Sequence, residues 1–206
     1  MKTLSVVLTV LLCGAALSHA DIPIPSLSSW SHGLTAPAGL CVCPAGDGDP
    51  LSAMQNGIAT VDGTITVNVI NILGEPVTNY PQEDLWLEAF GMPSCGNGGL
   101  DADAPTDAMG VTTFSGAPAM GGVMSDVLMV MIAGTPCENP GFNENLIHFT
   151  SPDLDGNGQV DLSDVVEFVD RLETNPADPA IDFFFDGQQT LSDIVVFAQH
   201  LNHTCR

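Results

Sequence analysis

The middle of the chain, residues 57–150, alternates apolar and polar positions in short runs. The clearest run, residues 64–69, reads Thr-Ile-Thr-Val-Asn-Val, so its apolar side chains fall on one face of an extended strand and β-branched residues predominate. Further runs are separated by turns that contain Gly or Pro, and they lie at residues 84–90, 111–114, 127–132 and 146–149. Several short strands without a helical period predict a β-sandwich.

After residue 150 the apolar period changes from two to between three and four. Residues 160–172 place apolar side chains on one helical face, at Leu162, Val165, Val166, Val169 and Leu172. The same face recurs 29 residues later over residues 190–201, at Leu191, Ile194, Val195, Ala198 and Leu201. We therefore expect two helices of an internal repeat, joined by a Pro-containing linker at residues 175–179.

A twelve-residue acidic loop, residues 153–164, precedes the first predicted helix. Side-chain oxygen ligands are expected at loop positions 1, 3, 5, 9 and 12, which are Asp153, Asp155, Asn157, Asp161 and Asp164. Position 7, Gln159, would contribute its backbone carbonyl. Gly158 allows the sharp turn that brings both ends round one ion, and Val160 is expected to contact the other loop. Four carboxylates this close repel one another, which favours a Ca²⁺ site. The alternative is a solvated turn in which Asp161 caps the helix.

The second loop, residues 182–193, is a weakened copy of the first. Its candidate ligands are Asp182, Asp186, Gln188, Thr190 and Asp193. Phe184 removes the ligand at position 3, so we expect either weaker calcium binding or a packed loop without an ion. Of the three consecutive phenylalanines at residues 183–185, one or two are expected to pack on the helices or the sandwich.

Two features distinguish these loops from the usual EF-hand. Position 12 is Asp164 rather than Glu, and a strand rather than a helix enters the first loop. A calcium loop with only an exiting helix, ending in Asp and repeated once, resembles a type I dockerin over residues 151–206. The resemblance implies attachment to a cohesin-like scaffold protein through loop positions 10 and 11, which are Leu162, Ser163, Leu191 and Ser192. Packing of the module against its own sandwich is the alternative.

A second resemblance concerns the predicted sandwich. Residues 64–69, followed by Gly-Glu-Pro-Val at residues 74–77, and the Thr-Asp-Ala-Met-Gly turn before residues 111–114 resemble bacterial immunoglobulin-like domains of the invasin/intimin kind. The expected fold class is therefore a mostly β immunoglobulin-like sandwich followed by a small all-α dockerin-like module with two calcium loop-helix repeats.

The amino-terminal end predicts export. A basic start, an apolar run over residues 4–17 and small residues before Asp21 are typical of a secretory signal peptide, residues 1–20. Residues 21–56 are rich in Pro, Ser, Ala and Gly, which predicts a lead-in with one short strand near residues 40–43. The expected organisation of this secreted, extracellular protein is completed by the sandwich at residues 57–150 and the module at residues 151–206.

Charge narrows the choice of partners. The chain has 25 acidic residues against three basic ones, and one of the three, Lys2, lies in the signal. Such a surface repels nucleic acid and anionic membranes, and no later stretch is apolar enough to predict a membrane span. The acidity suits cation binding, or it serves solubility alone.

Five cysteines follow the signal: Cys41, Cys43, Cys95, Cys137 and Cys205. Export favours disulfides, and we expect Cys41 or Cys43 to pair with Cys95 or Cys137, leaving an odd thiol. A metal site at Cys41 and Cys43 would need two more ligands that the sequence does not locate. His200 and His203 could share a metal or be exposed terminal residues.

The chain contains no nucleophile elbow, zinc-protease helix motif or phosphate-binding glycine loop. We therefore expect a secreted, non-catalytic protein that binds Ca²⁺ and attaches to a protein partner, with the sandwich as spacer or binder. One alternative is an accessory protein of polysaccharide catabolism, which binds or degrades polysaccharide. Another is a structural surface protein in which the module is an intramolecular calcium clip.

Overall fold

The computed structural model describes residues 22–57, 59–96, 98–137 and 146–205. The predicted signal peptide, residues 1–20, lies outside these ranges. Within them the protein is mostly β, with three sheets and two short α-helices near the carboxyl end. None of the helices in this part of the chain is long and apolar enough to cross a membrane.

The strands are short, between two and five residues. In chain order they are β1 Ser29–His32, β2 Ala38–Cys41, β3 Met54–Asn56, β4 Ala59–Val61, β5 Ile65–Asn68, β6 Leu85–Ala89, β7 Leu100–Asp101, β8 Val111–Phe114, β9 Met124–Ser125, β10 Leu128–Ile132, β11 Thr135–Pro136 and β12 Ile147–Thr150. The helices are α1 Leu162–Thr174 and α2 Leu191–Gln199.

The three sheets have the strand orders β1-β5-β8, β11-β10-β6-β7 and β4-β3-β2-β12-β9. Among the described residues, the strand pairs are antiparallel except for β2 and β12, which run parallel with Leu40 opposite Phe149. Period-two alternation is visible in β5, where Ile65 and Val67 are buried while the residues between and after them face solvent. The inward faces share one large core that contains Phe114 and Phe149.

A second, smaller core lies under the two helices. Phe168 of α1, Phe197 of α2 and Phe183 between them stack with ring centroids 5.1–6.2 Å apart. Cys41 and Cys43, at and just beyond the end of β2, also belong to this core. The carboxyl-terminal segment therefore packs its buried phenylalanines against residues 41–43.

Both helices begin at capped positions, which explains their boundaries. Asp161 accepts a hydrogen bond from the Ser163 N–H before α1, and Thr190 does the same for Ser192 before α2. In each case the side chain at the third helical position, Asp164 or Asp193, bonds back to the cap residue's N–H. These are capping boxes, and the two helices lie where the period between three and four predicted them.

The expected fold class, an immunoglobulin-like sandwich followed by a small all-α dockerin-like module, is wrong. The protein has three sheets, and its two helices form only a small part beside them. The segment predicted as a lead-in with one strand supplies β1, β2 and β3, and β2 pairs with β12. Local alternation locates strands but does not tell which distant strands will pair, so it could not reveal this arrangement.

The expected cysteine pairing is also wrong. The disulfide joins Cys95 to Cys205, with a Cα–Cα separation of 5.2 Å, and the buried Cys41, Cys43 and Cys137 are free. The physical reason is the path of the last residues. Cys205 donates its N–H to the Gly158 carbonyl, which holds the carboxyl end beside the first acidic loop.

Candidate metal sites in the carboxyl-terminal segment

Three carboxylates of the first acidic loop converge on one point. Asp153, Asp155 and Asp164 each offer an oxygen, and these oxygens all lie within 4.8 Å of one another. β12 ends just before the first of them, and the first turn of α1 carries the last. The strand end and the helix start thus bring together residues that stand eleven positions apart in sequence.

Backbone N–H groups hold these carboxylates in place. Asp153 accepts from the amides of Asn157 and Gly158 at 3.1 and 2.9 Å. Asp164 accepts from the amides of Asp155 and Asp161 at 3.1 and 2.8 Å. The φ of +86° at Gly158 provides the sharp turn that the sequence predicted there.

The two carboxylates at the ends of the loop are buried. Burial, with a smaller contribution from the nearby charges of Asp164 and Asp155, raises the pKa of Asp153 to about 6, although hydrogen bonds from backbone N–H groups oppose the increase. Burial also raises the pKa of Asp164. Arg171 is the one Lys or Arg in the described part of the chain, and it pairs with Glu167 and Asp178. No described Lys or Arg is therefore left to neutralise the loop.

The remaining predicted ligands of the first loop are exposed. Asn157 donates its side-chain amide to Asp155 at 2.9 Å and accepts the Gln159 N–H at 2.9 Å. Hydrogen bonds from the Ser163 hydroxyl and N–H lower the pKa of Asp161, which is the helix cap. The capping role that was the alternative for Asp161 is thus observed, beside a carboxylate cluster formed by its neighbours.

The second loop has the same internal scaffold as the first. Six N–H donations from loop backbone to loop side chain recur 29 residues later. In the second loop the pairs, each with the N–H donor first and the side-chain acceptor second, are Phe184 and Asp193, Asp186 and Asp182, Gly187 and Asp182, Gln188 and Asp186, Thr190 and Asp193, and Ser192 and Thr190. The internal repeat is therefore a repeat of hydrogen bonds as well as of sequence.

The second loop differs at its centre. Phe184 occupies position 3 and is 40% exposed, while Asp182 and Asp193 are buried. Within the described residues, the carboxylates of this loop do not form a close group like that of the first. Phe183 is buried with the helices and Phe185 packs on Gly39 of β2, which confirms the expectation for two of the three phenylalanines.

The expected contact of Val160 with the second loop is wrong. Val160 donates its N–H to the His203 carbonyl at 2.9 Å and accepts from the Asn202 N–H at 2.8 Å. The carboxyl end of the chain takes the place that the sequence assigned to the other loop. Gln189, the equivalent residue, instead donates its side chain to the Asp178 carbonyl at 3.1 Å.

The predicted attachment residues lie on the surface beside the two loops. Leu162 is 79% exposed and Leu191 is 71% exposed, and both adjacent serines are exposed as well. Ser163 donates its hydroxyl to Asp155 at 3.0 Å, so one attachment residue also contacts the carboxylate cluster. The four residues are thus accessible at equivalent places on the two loop-helix units.

A second close group of metal-binding side chains was not predicted as a unit. It consists of Cys43, Asp47, His200 and His203, whose candidate ligand atoms lie within 4.8 Å of one another. The spacing of the two histidines and the isolated thiol are visible in the sequence, but their meeting depends on the second core. No known family model matches the chain, and no curated protein or solved structure is significantly similar to it.

Proposed function

We propose that this protein is a secreted, non-catalytic attachment protein whose first acidic loop binds Ca²⁺. The observation that carries the proposal is the convergence of Asp153, Asp155 and Asp164, two of them buried, without a Lys or Arg partner among the described residues. Buried carboxylates are costly unless a cation or a set of donors compensates them. A bound cation supplies that compensation.

Calcium suits this donor set better than a softer metal. Every candidate ligand in the loop is an oxygen, and Ca²⁺ takes six to eight oxygens from carboxylates, amide or backbone carbonyls and water. Asp153, Asp155 and Asp164 would supply the carboxylates, Asn157 an amide oxygen and Gln159 its backbone carbonyl. Asp161 would contribute indirectly, because its carboxylate already accepts from Ser163.

We assign one strong site to the first loop and a weak site, or none, to the second. The repeated hydrogen bonds support a common scaffold, but Phe184 provides no oxygen side chain where Asp155 stands in the first loop. The candidate ligands of the second loop remain Asp182, Asp186, Gln188, Thr190 and Asp193. Loss of one carboxylate weakens a calcium loop because affinity depends on ligand charge.

The attachment surface consists of aliphatic side chains on the outer faces of both helices. Those more than 40% exposed are Leu162, Val166, Val169, Leu191, Ile194 and Val195. Exposed aliphatic groups at matching positions of two loop-helix units support a protein partner, because binding would remove this apolar surface from water, which is favourable. The sequence resemblance to type I dockerins supports a cohesin-like partner in particular.

A second candidate function is the intramolecular calcium clip. The small core that includes Cys41 and Cys43, together with the Cys95–Cys205 disulfide, favours this candidate, since both tie the loops to the rest of the chain. In that case calcium would stabilise the protein without an external partner. Polysaccharide binding stays a sequence prediction, with no specific contact in its favour.

Calcium titration of the chain without residues 1–20 tests the metal proposal. We expect calorimetry to detect one clear site, which Asp153→Ala with Asp155→Ala abolishes. Asp170→Asn is the matched control, since it removes an exposed charge on α1 outside the loop and should leave the affinity unchanged. Equal binding by the double variant and the control would contradict the proposal.

Binding to immobilised cohesin domains tests the attachment. We expect binding in calcium and none in chelator, and Leu162→Asp with Leu191→Asp should weaken it by at least about tenfold, as for a central interface residue. Met109→Asp, which changes another exposed apolar side chain far along the chain, is the control. Calcium-dependent stability without any cohesin binding would instead support the clip.

A further inference from the structure

The carboxyl end of α2 meets the segment that follows β2, and four side chains of metal-binding type face one another there. They are Cys43, Asp47, His200 and His203. The group contains one sulfur, two imidazoles and one carboxylate, whereas the calcium loop contains oxygens alone. The two groups are therefore different in chemistry as well as in place.

Local structure accounts for each position. Cys43 follows β2 in the small core, and a turn with Gly46 at φ +72° carries Asp47 back beside it. A Cβ on Gly48 would approach the Cys41 carbonyl oxygen and the Cys43 nitrogen too closely, so this turn is tightly packed. The turn thus holds the carboxylate near the thiol.

The histidines come from the end of the chain. His200 caps the carboxyl end of α2, and His203 follows one turn later. The His203 carbonyl accepts the Val160 N–H, and the disulfide at Cys205 fixes the residues just beyond. Both histidines are therefore anchored by contacts that do not involve their rings.

The side chains are already in contact. His203 Nδ1 lies 3.1 Å from Asp47 Oδ1 and 3.5 Å from Cys43 Sγ. The rings of His200 and His203 meet edge to face with centroids 5.3 Å apart. His200 Nδ1 lies 2.8 Å from the Val196 carbonyl, so that nitrogen carries the proton and Nε2 keeps the lone pair that a metal needs.

We propose that Cys43, Asp47, His200 and His203 bind one transition-metal ion, with Zn²⁺ as the preferred ion. Thiolate, imidazole and carboxylate are the ligands that Zn²⁺ takes in tetrahedral protein sites. Zinc-to-ligand distances of about 2.0–2.3 Å place ligand atoms roughly 3.3–3.8 Å apart. The group spans no more than 4.8 Å, and its partly exposed Asp47, His200 and His203 can rotate to contract it.

Access and protonation are consistent with this site. A cavity of about 230 Å³ is lined by Asp47 and His200 among others, so two of the four candidate ligands face open space. Burial, together with the nearby Asp47 carboxylate, raises the pKa of Cys43 to about 12, so the metal-free thiol is neutral. A metal ion would displace that proton, because a coordinating thiol is deprotonated. Four protein ligands leave no open position, so the site is structural rather than catalytic.

Cobalt titration of the chain without residues 1–20, with calcium present, tests the site. We expect one equivalent of Co²⁺ to produce a thiolate-to-cobalt charge-transfer band and tetrahedral visible bands, both removed by Zn²⁺. Cys43→Ser should abolish the charge-transfer band. Cys41→Ser and Cys137→Ser are matched controls, since both change buried free cysteines outside the ligand group, and each should retain the band.

Because Cys43 is buried, two further measurements do not depend on replacing it. Loss of a residue that hydrogen-bonds to a metal ligand weakens metal binding by roughly 10–100-fold. Replacing a partly exposed residue that is itself a ligand, in His203→Gln, should weaken Co²⁺ binding by more than that. X-ray absorption at the zinc edge of the unaltered protein should show one sulfur ligand near about 2.3 Å among nitrogen and oxygen ligands. A zinc spectrum without sulfur, or a charge-transfer band that survives in Cys43→Ser, would overturn the proposal.

Discussion

At the scale of single residues, the geometry of the first acidic loop depends on a neighbour far from it in sequence. Gly122 donates its N–H to the Asp153 carbonyl at 2.6 Å, and Gly121 lies directly against the Asp153 carboxylate. A Cβ on Gly121 would overlap that carboxylate. The position of the first ligand is therefore set partly by a loop between β8 and β9.

Gly121→Ala tests this dependence without removing any ligand. We expect calcium affinity to fall by at least about tenfold, because the added methyl group displaces the Asp153 carboxylate from its hydrogen bonds. Gly33→Ala is the control, since nothing lies within 4 Å of the added carbon there. Calorimetry checks both variants. Unchanged affinity in Gly121→Ala would show that Asp153 is not a ligand or is free to shift.

The raised pKa of Asp153 predicts a pH dependence of the calcium-free protein. Burial raises this pKa to about 6 from an ordinary 3.8, so the folded protein binds more protons than the unfolded chain between about pH 4 and 6. The contribution of Asp153 to stability is therefore greatest at low pH and is lost as the pH rises through that window. Calcium should oppose the loss, because only the carboxylate binds the ion.

Urea unfolding with chelator, across this pH range, measures the effect. Asp153→Asn supplies the comparison, since the amide does not titrate, and the unaltered protein should lose more stability than the variant as the pH rises. Equal slopes for the two proteins would contradict the assigned shift.

At the scale of elements, the two loops offer a direct comparison. They share six internal hydrogen bonds and the φ of about +80° at Gly158 and Gly187, but only the first has an acid at position 3. If the scaffold is sufficient, restoring that acid should create a second strong site. The difference in calcium affinity would then come mainly from the side chain at residue 184.

Phe184→Asp is therefore expected to raise the number of strong calcium sites from one to two. Gln188→Asp is the matched control, because it adds the same charge at a loop position that would use its backbone carbonyl. Calorimetric stoichiometry distinguishes them. A Phe184→Asp variant that binds calcium as the unaltered protein does would mean that the second loop lacks a competent scaffold.

Element positions were the most predictable part of the fold. The runs at residues 64–69, 84–90, 111–114 and 127–132 contain β5, β6, β8 and β10, the run at residues 146–149 contains all of β12 but its last residue, and both helices lie where the period changed. β7, β9 and β11 are two residues long, which is too short to show a period. Sheet membership could not be predicted, since it depends on pairing between distant strands such as β2 and β12.

At the scale of the whole molecule, the carboxyl end is tied to the body at several points. The disulfide joins Cys205 to Cys95, and the small core includes Cys41 and Cys43. The disulfide closes a loop with a sequence separation of 110 residues. A chain-entropy model assigns about 4.7 kcal/mol to a loop of that size, although measured values are commonly about 2–4 kcal/mol.

Removing this disulfide should lower both stability and calcium affinity. We expect Cys95→Ser with Cys205→Ser to reduce the free energy of unfolding by about 2–4 kcal/mol. Calcium affinity should fall as well, because Gly158 and Val160 of the first loop pair with the released carboxyl end. Cys137→Ser is the control for loss of a buried sulfur. Urea unfolding gives the free energy of unfolding of the unaltered protein, the double variant and this control. A loss of less than about 1 kcal/mol would contradict the role assigned to the disulfide.

The two candidate sites differ in how far the sequence could predict them. The candidate ligands of the first acidic loop belong to one short segment, so their spacing alone predicts Asp153, Asp155 and Asp164. Cys43 and His203 lie 160 residues apart, and only the packing of the helices on β2 brings them together. Spacing rules detect ligands within one segment and miss those that tertiary contacts assemble.

Anomalous scattering from crystals of the chain without residues 1–20, grown with calcium, is the most direct test of the calcium site. We expect an anomalous peak bounded by Asp153, Asp155 and Asp164, with six to eight oxygens at about 2.3–2.6 Å from the ion. A weaker peak or none is expected at the second loop. Well-ordered loops in saturating calcium, with no peak among those three carboxylates, would contradict the assignment of a calcium site to the first loop.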